Sequence, residues 1–335
     1  MAMTTIKDVA RVAKVSTATV SHVFNGTRFV SEKTTERVRR VAQDLGYVSN
    51  INAVGLRSNK TKRIGLLVPA IASFFYVDIL DAIEQVLVKN GYQLVIGCSH
   101  ENLQREKEQV GIFNFQQIDG MLMFPAPGDH GYLDVMPRKY PIVFIDREAE
   151  GCCRDAVIGD NFNSTYEAIS CVINEGHQMI GILSGPEGIS ALKERVQGYK
   201  QALQEHGIVF DPELVVSDVS SSTGGYEATR RLLFHRRPTA ILSLSPAMAV
   251  GCLQYLHEHD IKVPEEIALL SFGDTEWMSV TAPPLTALQH PMFDIGQLAA
   301  KVLLKRLEEE QDSGKPREDF QTYRLPVSMI RRDSF

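Results

Sequence analysis

The sequence has no apolar run long enough to cross a bilayer, no cysteine pairing pattern and no glycine-rich phosphate loop. A membrane-spanning helix needs roughly 20 consecutive apolar residues, and the longest stretches here, such as Ile64–Ala72, are strand-length. Met1–Lys14 mixes polar and apolar residues and includes acidic Asp8, which argues against a cleaved secretory signal. The five cysteines (Cys98, Cys152, Cys153, Cys171, Cys252) are an odd count without Cys-x-x-Cys spacing. They predict buried or incidental thiols in a reducing cytoplasm rather than a disulfide framework or a zinc knuckle. Neither G-x-G-x-x-G nor a P-loop pattern occurs, so a dinucleotide or nucleoside-triphosphate site is not supported. His257 and His259 stand one residue apart with no further ligands beside them, and no Gly-x-Ser-x-Gly elbow is present. The expectation is a protein that is not an enzyme, with no catalytic residue, no metal and no cofactor.

What is present is a globular composition with an uneven charge. The chain has 335 residues, 44% of them hydrophobic and 23% charged, which fits two or three soluble domains. The net charge of −6 conceals two opposed parts. Residues 1–63 carry 12 Lys/Arg against 4 Asp/Glu, a net of +8, and the remainder carries 23 against 37, a net of −14. A basic end on an acidic body points toward a polyanionic partner for that end.

Three short helices are predicted at the start. Thr5 with Asp8 three residues on has the form of a capping box, and Val9, Ala10 and Ala13 follow at helical spacing. After a tight break at Lys14-Val15, Ser16 is an N-cap for a second helix over Thr17–Phe24, ended by Asn25-Gly26. Ser31 caps a third, with Val38, Val41, Ala42 and Leu45 as its buried stripe and Gly46 as its stop. Residues 48–63 are polar and basic and read as a linker with at most one helical turn around Ile51–Leu56.

From Arg63 onward strand-length apolar runs alternate with amphipathic helices. Ile64–Val68, Tyr92–Gly97, Met121–Phe124 and Ile142–Ile145 form one set of strands, and Ile180–Leu183, Ala240–Leu244 and Ala268–Phe272 belong to a second. Such alternation predicts parallel sheets covered on both faces. Two sets predict two doubly wound subdomains with a cleft between them.

Two helices joined by about three residues form a helix-turn-helix, whose second helix can lie in the DNA major groove. Here that helix presents Thr17, Ala18 and His22 on one face and Val20 and Val23 on the other. Thr5-Ile6-Lys7-Asp8-Val9-Ala10 and Val15-Ser16-Thr17-Ala18-Thr19-Val20-Ser21-His22-Val23-Phe24-Asn25 closely resemble the headpiece of the lactose/galactose repressor family. Thr27-Arg28-Phe29-Val30-Ser31 brings the likeness nearest to that family's purine and ribose repressors. It continues through Leu45-Gly46-Tyr47, Ala53-Val54-Gly55-Leu56-Arg57, Pro283-Pro284-Leu285-Thr286 and Leu325-Pro326-Val327-Ser328-Met329-Ile330-Arg331-Arg332, essentially the whole chain.

The resemblance implies roles for matching positions. Thr17, Ala18 and His22 would face base edges, the Thr and His through hydrogen bonds and Ala18 through an apolar contact such as a thymine methyl. Ser16, Thr19, Asn25 and Arg28 would contact phosphates or set the register. Leu56 matches the hinge leucine that wedges into the minor groove, with Arg57 beside it on the hinge. Two positions depart from the pattern: Lys14 replaces the usual turn glycine, and Val54 replaces a hinge arginine common in the family. The body resembles a periplasmic sugar receptor, and the likeness puts Phe75, Tyr76, Asp146, Arg147, Arg195 and Asp274 toward an effector in the cleft. The alternative for three of these is plainer: Asp146 and Arg147 pair with each other, and Arg195 caps a subdomain contact. Gly273 stands where the family usually has an effector-binding aspartate, Ser245-Pro246 where Asn-Asp is common, and Val219 or Ser220 near the usual stacking aromatic. With that carboxylate gone and two arginines kept, the expected ligand differs from a free hexose and carries an anionic group.

The expected fold class is therefore α/β: an N-terminal helix-turn-helix headpiece plus two doubly wound parallel-sheet subdomains of periplasmic-binding-protein type. Expected boundaries are 1–47 for the headpiece, 48–62 for the hinge and 63–335 for the effector-binding and dimerisation core. Within the core, one subdomain takes about 63–160 and 292–324, and the other about 161–291 and 325–335. The expected partners are a double-stranded DNA operator, a small-molecule effector (sugar, sugar derivative or nucleobase-like) and a second copy of the chain, with no membrane. The expected place is the cytoplasm, at the nucleoid. An activator or an effector-independent regulator is the alternative; a solute-binding receptor lacks the headpiece, and an α/β enzyme lacks a catalytic constellation here.

Overall fold

A computed structural model describes residues 4–25, 28–47, 61–71, 76–137, 139–313 and 319–335. The chain divides into two compact units, Met1–Thr61 and Lys62–Phe335. Most of the expected hinge, with Leu56 and Arg57, lies outside the described residues, as do Phe75 and the side chain of Asn25.

The described residues of the first unit form three helices: α1 (Ile6–Ala13), α2 (Thr17–Asn25) and α3 (Glu32–Asp44). The Asp8 carboxylate accepts from the Thr5 amide at 3.0 Å and the Thr5 hydroxyl at 2.7 Å, closing the start of α1. Ser16 Oγ accepts from the Thr19 amide at 3.0 Å and so caps α2. The Ser31 hydroxyl instead donates to the Thr34 hydroxyl at 2.9 Å, and the backbone carbonyl of Ser31 accepts from the amides of Thr34 and Thr35. Val9, Ala10, Ala13, Val20, Val23, Val38 and Ala42 form the core, with Val41, Leu45 and Tyr47 packed against it. Lys14 ends α1 at φ 51° and ψ 49°, the left-handed region that favours glycine.

The second unit holds two six-stranded sheets. Sheet one is built from β1 (Arg63–Val68), β2 (Gln93–Cys98), β3 (Gly120–Met123), β4 (Ile142–Ile145), β5 (Asp155–Gly159) and β11 (Thr322–Leu325), in the order β11-β5-β4-β3-β1-β2 with every pairing parallel. Helices α4 (Val77–Lys89), α5 (Leu103–Phe115) and α10 (Met292–Ser313) pack on it. Sheet two has β6 (Ile180–Ser184), β7 (Val215–Ser217), β8 (Ala240–Ser243), β9 (Ala268–Phe272), β10 (Thr286–Gln289) and β12 (Ser328–Ile330), in the order β12-β10-β9-β8-β6-β7. All its pairings are parallel except β10 with β12. It carries α6 (Asn161–Asn174), α7 (Ser190–Glu205), α8 (Ser222–His235) and α9 (Pro246–Glu258).

Burial on both faces explains the continuous apolar strands. Ile64, Leu66 and Val68 of β1 pack with Ile79, Ile83 and Leu303 on one side, while Leu67 joins Phe113 and Phe144 on the other. In sheet two Ile182, Leu242 and Leu270 meet Tyr199, and Leu183, Ile241 and Leu269 meet Leu232 and Met248. The chain passes between the sheets three times: after β5, after β10 and between β11 and β12. Helices α8 and α9 approach closely, and a Cβ at Gly251 would overlap the backbone of Ser222 and Tyr226. That contact sets the start of α8 against the middle of α9, and both helices open onto the cavity described next.

Candidate nucleic-acid face and effector cleft

On α2 the helical period separates the two faces. Val20 and Val23 are buried in the headpiece core, while Ser16, Thr17 and Ala18 are exposed and Thr19 and His22 half-buried. Arg28 is exposed as well. The structure thus brings Ser16, Thr17, Ala18, Thr19 and His22 together along one short helix whose opposite side is committed to packing.

In the larger unit a cavity of about 530 Å³ lies where the strands of both sheets end. Its wall from sheet one has Ala70, Tyr76, Glu101, Asp146 and Arg147. Its wall from sheet two is more apolar: Ile189, Leu192, Leu244, Pro246, Val250 and Trp277, relieved by Arg195, Thr275 and the hydroxyls of Ser220, Ser221 and Ser222.

Asp146 follows β4 at φ 68° and is 7% exposed, its amide donating to Val157 O at 2.9 Å. Burial raises its carboxyl above the ordinary carboxylate range, with Arg195 and then Arg147 pulling it back. Its Oδ1 has no hydrogen-bond partner and lies 3.6 Å from His290 Nε2. Burial, aided by the Arg195 charge, lowers His290 to about 3, so that ring is neutral at pH 7. Arg195, 5% exposed, donates from Nε to Asn161 Oδ1 at 2.8 Å and from Nη1 to Leu244 O at 2.9 Å, with its guanidinium 3.5 Å above the Phe272 ring. Burial lowers it to about 10, opposed by Asp146.

Arg147 does not pair with Asp146. Its Nη2 donates to Glu101 Oε1 at 2.9 Å, and although burial opposes its charge, Glu101, Tyr76 and Asp146 together outweigh that and hold the guanidinium more firmly protonated than usual. Arg195 bonds to the end of β8 and to Asn161 at the start of α6, and Asn161 in turn donates to Gly159 O of β5 in sheet one at 3.1 Å. Four wall residues carry a buried polar atom without a partner: Asp146 Oδ1, Arg147 Nε, Glu101 Oε2 and Thr275 Oγ1. Buried polar groups are nearly always hydrogen-bonded in folded proteins, so this concentration marks a surface shaped for a polar ligand.

One expected site residue is corrected. Asp274 does not line the cavity; both its oxygens accept from Arg332, at 2.9 and 2.7 Å. Gly273 at φ 90° turns the chain there, and Thr275 and Trp277 reach the cavity instead. Glu101, Thr275 and Trp277 were not singled out from sequence. Each follows shortly after the end of a strand, the zone where open α/β sheets bind ligands, and that rule is the signal that finds them. Glu101 also removes the expected excess of positive charge, since two carboxylates now face two guanidinium groups. Among the described residues no group of His, Cys, Asp or Glu side chains is arranged to hold a metal, and no helix is long and apolar enough to cross a membrane.

The profile of bacterial regulatory proteins of the lacI family matches residues 5–50, and that of a periplasmic binding protein-like domain matches residues 170–335. Over 333 residues the chain is 32% identical to the ribose operon repressor of Haemophilus influenzae, covering 99% of this chain and 98% of that protein. The transcriptional repressor PurR of Vibrio atlanticus is 32% identical over 311 residues, 92% of this chain and 93% of its own. Among solved structures, the Lac repressor dimer bound to operator and the anti-inducer ONPF is similar at a TM-score of 0.86 with 25% identity over 99% of both chains. The complex of the transcriptional regulator CelR with cellobiose gives 0.74 with 27% identity, over 99% of this chain and all of that one. With a headpiece that exposes one face of its second helix and a cleft between two parallel sheets, this chain belongs to the lacI family and is a DNA-binding transcription regulator.

Proposed function

We propose that this regulator is a repressor that binds a near-palindromic operator as a homodimer, and that a small molecule in the cleft tunes its affinity. The observation that carries the reading is the division of α2 into a buried face, Val20 and Val23, and an exposed or half-exposed face with Thr17, Ala18 and His22. Thr17, Ala18 and His22 read base edges, and Ser16, Thr19, Asn25 and Arg28 set the register on phosphates. Leu56 and Arg57 act at the hinge. The effector is a sugar, sugar derivative or nucleobase-like molecule, and its binding residues are Phe75, Tyr76, Asp146, Arg147 and Arg195. The protein works in the cytoplasm, at the nucleoid, without catalysing a reaction.

A binding selection on random duplexes tests the headpiece. The wild type should recover a two-fold symmetric consensus, with each mismatch costing about 1–3 kcal/mol. Exchanging Thr17, Ala18 and His22 together should change that consensus, and removing residues 1–60 should abolish specific binding while the remaining unit stays folded. The same consensus from the triple variant, or specific binding by the truncated chain, would defeat the assignment.

A further inference from the structure

Glu101 belongs to no sequence motif, and it sits where it changes the ligand chemistry of the cleft. It stands at φ 54°, directly after His100 at φ 53°. Two consecutive non-glycine residues in the left-handed region hold the turn after β2 at an energetic cost. The turn is tied down by the amides of Ser99, His100 and Asn102, which donate to Val68 O, Pro69 O and Ser99 O. The result brings the Glu101 carboxylate against Arg147, a guanidinium only 3% exposed.

Without Glu101 the cavity would favour anions. Arg147 and Arg195 both line it, and so do the opening residues of α7, α8 and α9 through Ala191, Ser222 and Pro246. Helix N-termini carry positive partial charge, which adds to that of the two guanidinium groups. With Glu101 in place, Arg147 is already engaged, and the spare carboxylate oxygens, Glu101 Oε2 and Asp146 Oδ1, can only accept when ionised. A phosphate, itself an acceptor, would leave both oxygens unsatisfied and set its charge beside theirs. A hydroxyl-rich neutral molecule donates to both oxygens and accepts from Arg147 Nε.

We infer that Glu101 is a specificity-determining residue: by occupying Arg147 it excludes phosphorylated ligands and commits the cleft to an uncharged, hydroxyl-rich effector. This rests on the reading of the cavity as the effector site and replaces the anionic ligand expected from sequence.

The test uses the full chain and inorganic phosphate, D-ribose 5-phosphate and D-ribose as probes. Trp277, the single tryptophan, lines the cavity and reports occupancy by its fluorescence. The wild type should bind neither phosphate nor ribose 5-phosphate measurably by calorimetry. Glu101→Gln, which keeps the shape and removes the charge, should bind both anions more tightly by on the order of tenfold or more. Adding Arg147→Gln to that variant should cancel the gain. Tighter wild-type binding of ribose 5-phosphate than of ribose overturns the inference. So does a folded Glu101→Gln protein, with wild-type melting temperature and Trp277 emission, that gains no anion binding, or a gain that survives Arg147→Gln. None of these outcomes touches the effector reading itself, which stands or falls on whether any small molecule bound in the cleft alters operator affinity.

Discussion

The headpiece and the cleft solve recognition in opposite ways. On α2 the candidate reading side chains sit at the surface, and a small core of valines and alanines holds them from behind. In the cleft the candidate binding groups are themselves part of the buried structure: Asp146, Arg147 and Arg195 are nearly solvent-free and bonded to the backbone or to each other's neighbours. The difference has a physical reason. A DNA surface is large, charged and met from outside, so exposed groups meet it at little desolvation cost. A small molecule supplies few contacts, so its site must be pre-organised and dry. Function in the headpiece is therefore separable from stability, and in the cleft it is not.

Arg195→Ala is the largest expected break in that contrast. It removes a guanidinium that satisfies Asn161 Oδ1 and Leu244 O and covers the Phe272 ring. Each buried acceptor left without its donor costs about 1–3 kcal/mol, so the loss should be about 3 kcal/mol, read as a lower urea midpoint together with the loss of ligand response. Thr17→Ala on the exposed face should change stability by no more than about 0.5 kcal/mol. Equal destabilisation by the two would erase the distinction between the two regions.

That contrast also governs how much could be read from the sequence. The headpiece was legible nearly to the residue, because a short helix with one packing face leaves a strict period. Val9, Ala10, Ala13, Val20 and Val23 appear at their helical spacing and are buried. In the body, Ile142–Ile145 and Ala268–Phe272 are strands over the expected spans. The strands Asp155–Gly159, Val215–Ser217, Thr286–Gln289, Thr322–Leu325 and Ser328–Ile330 were not anticipated. Most of these lie near sheet margins, with fewer apolar neighbours to impose a run; Val215–Ser217, β11 and β12 are only partly buried. Asp274 misled for another reason. One position past a glycine at positive φ, its side chain is aimed by a turn that no periodicity encodes, and the C-terminal Arg332 is there to take it.

A smaller effect sharpens the comparison from the buried side. His290 follows β10 on the second passage between the sheets, and its ring faces Asp146 and Phe272 with Arg195 nearby. In the unfolded chain it would take up a proton near 6.5, but in the folded protein only near 3. Between those values the unfolded state binds more protons, so this residue makes stability fall as pH drops below 6.5. Asp146 acts in the opposite sense, because its raised carboxyl makes the folded state the better proton binder above 3.8. His290→Gln should therefore flatten the acid limb of a urea-midpoint profile and leave its slope above pH 7 unchanged. An acid limb as steep as in the wild type would show that the buried ring carries none of it.

The smallest expected effect lies in the headpiece, at the turn between α1 and α2. Lys14 is exposed and adopts φ 51°, with its amide turned back to Arg11 O and the amide of Val15 bonded to Ala10 O at 3.0 Å. A side chain in this conformation is strained against its own backbone, while glycine is not, although glycine gives up more freedom on folding. The strain is the larger of the two terms, so Lys14→Gly should stabilise the headpiece by about 0.5–1 kcal/mol. Trp277 lies in the other unit and will not sense the change, so the measurement is hydrogen exchange at the α1 and α2 amides, which should slow several-fold. The same substitution removes one positive charge from a unit that binds a polyanion. If Lys14 meets a phosphate, the salt dependence of operator affinity should shallow by about 0.9 in its logarithmic slope. Slower exchange with an unchanged salt slope would make Lys14 a strained turn residue only. Faster exchange would mean that the lysine stem packs in a way that outweighs the strain, and that even this exposed corner of the headpiece couples contact to stability as the cleft does.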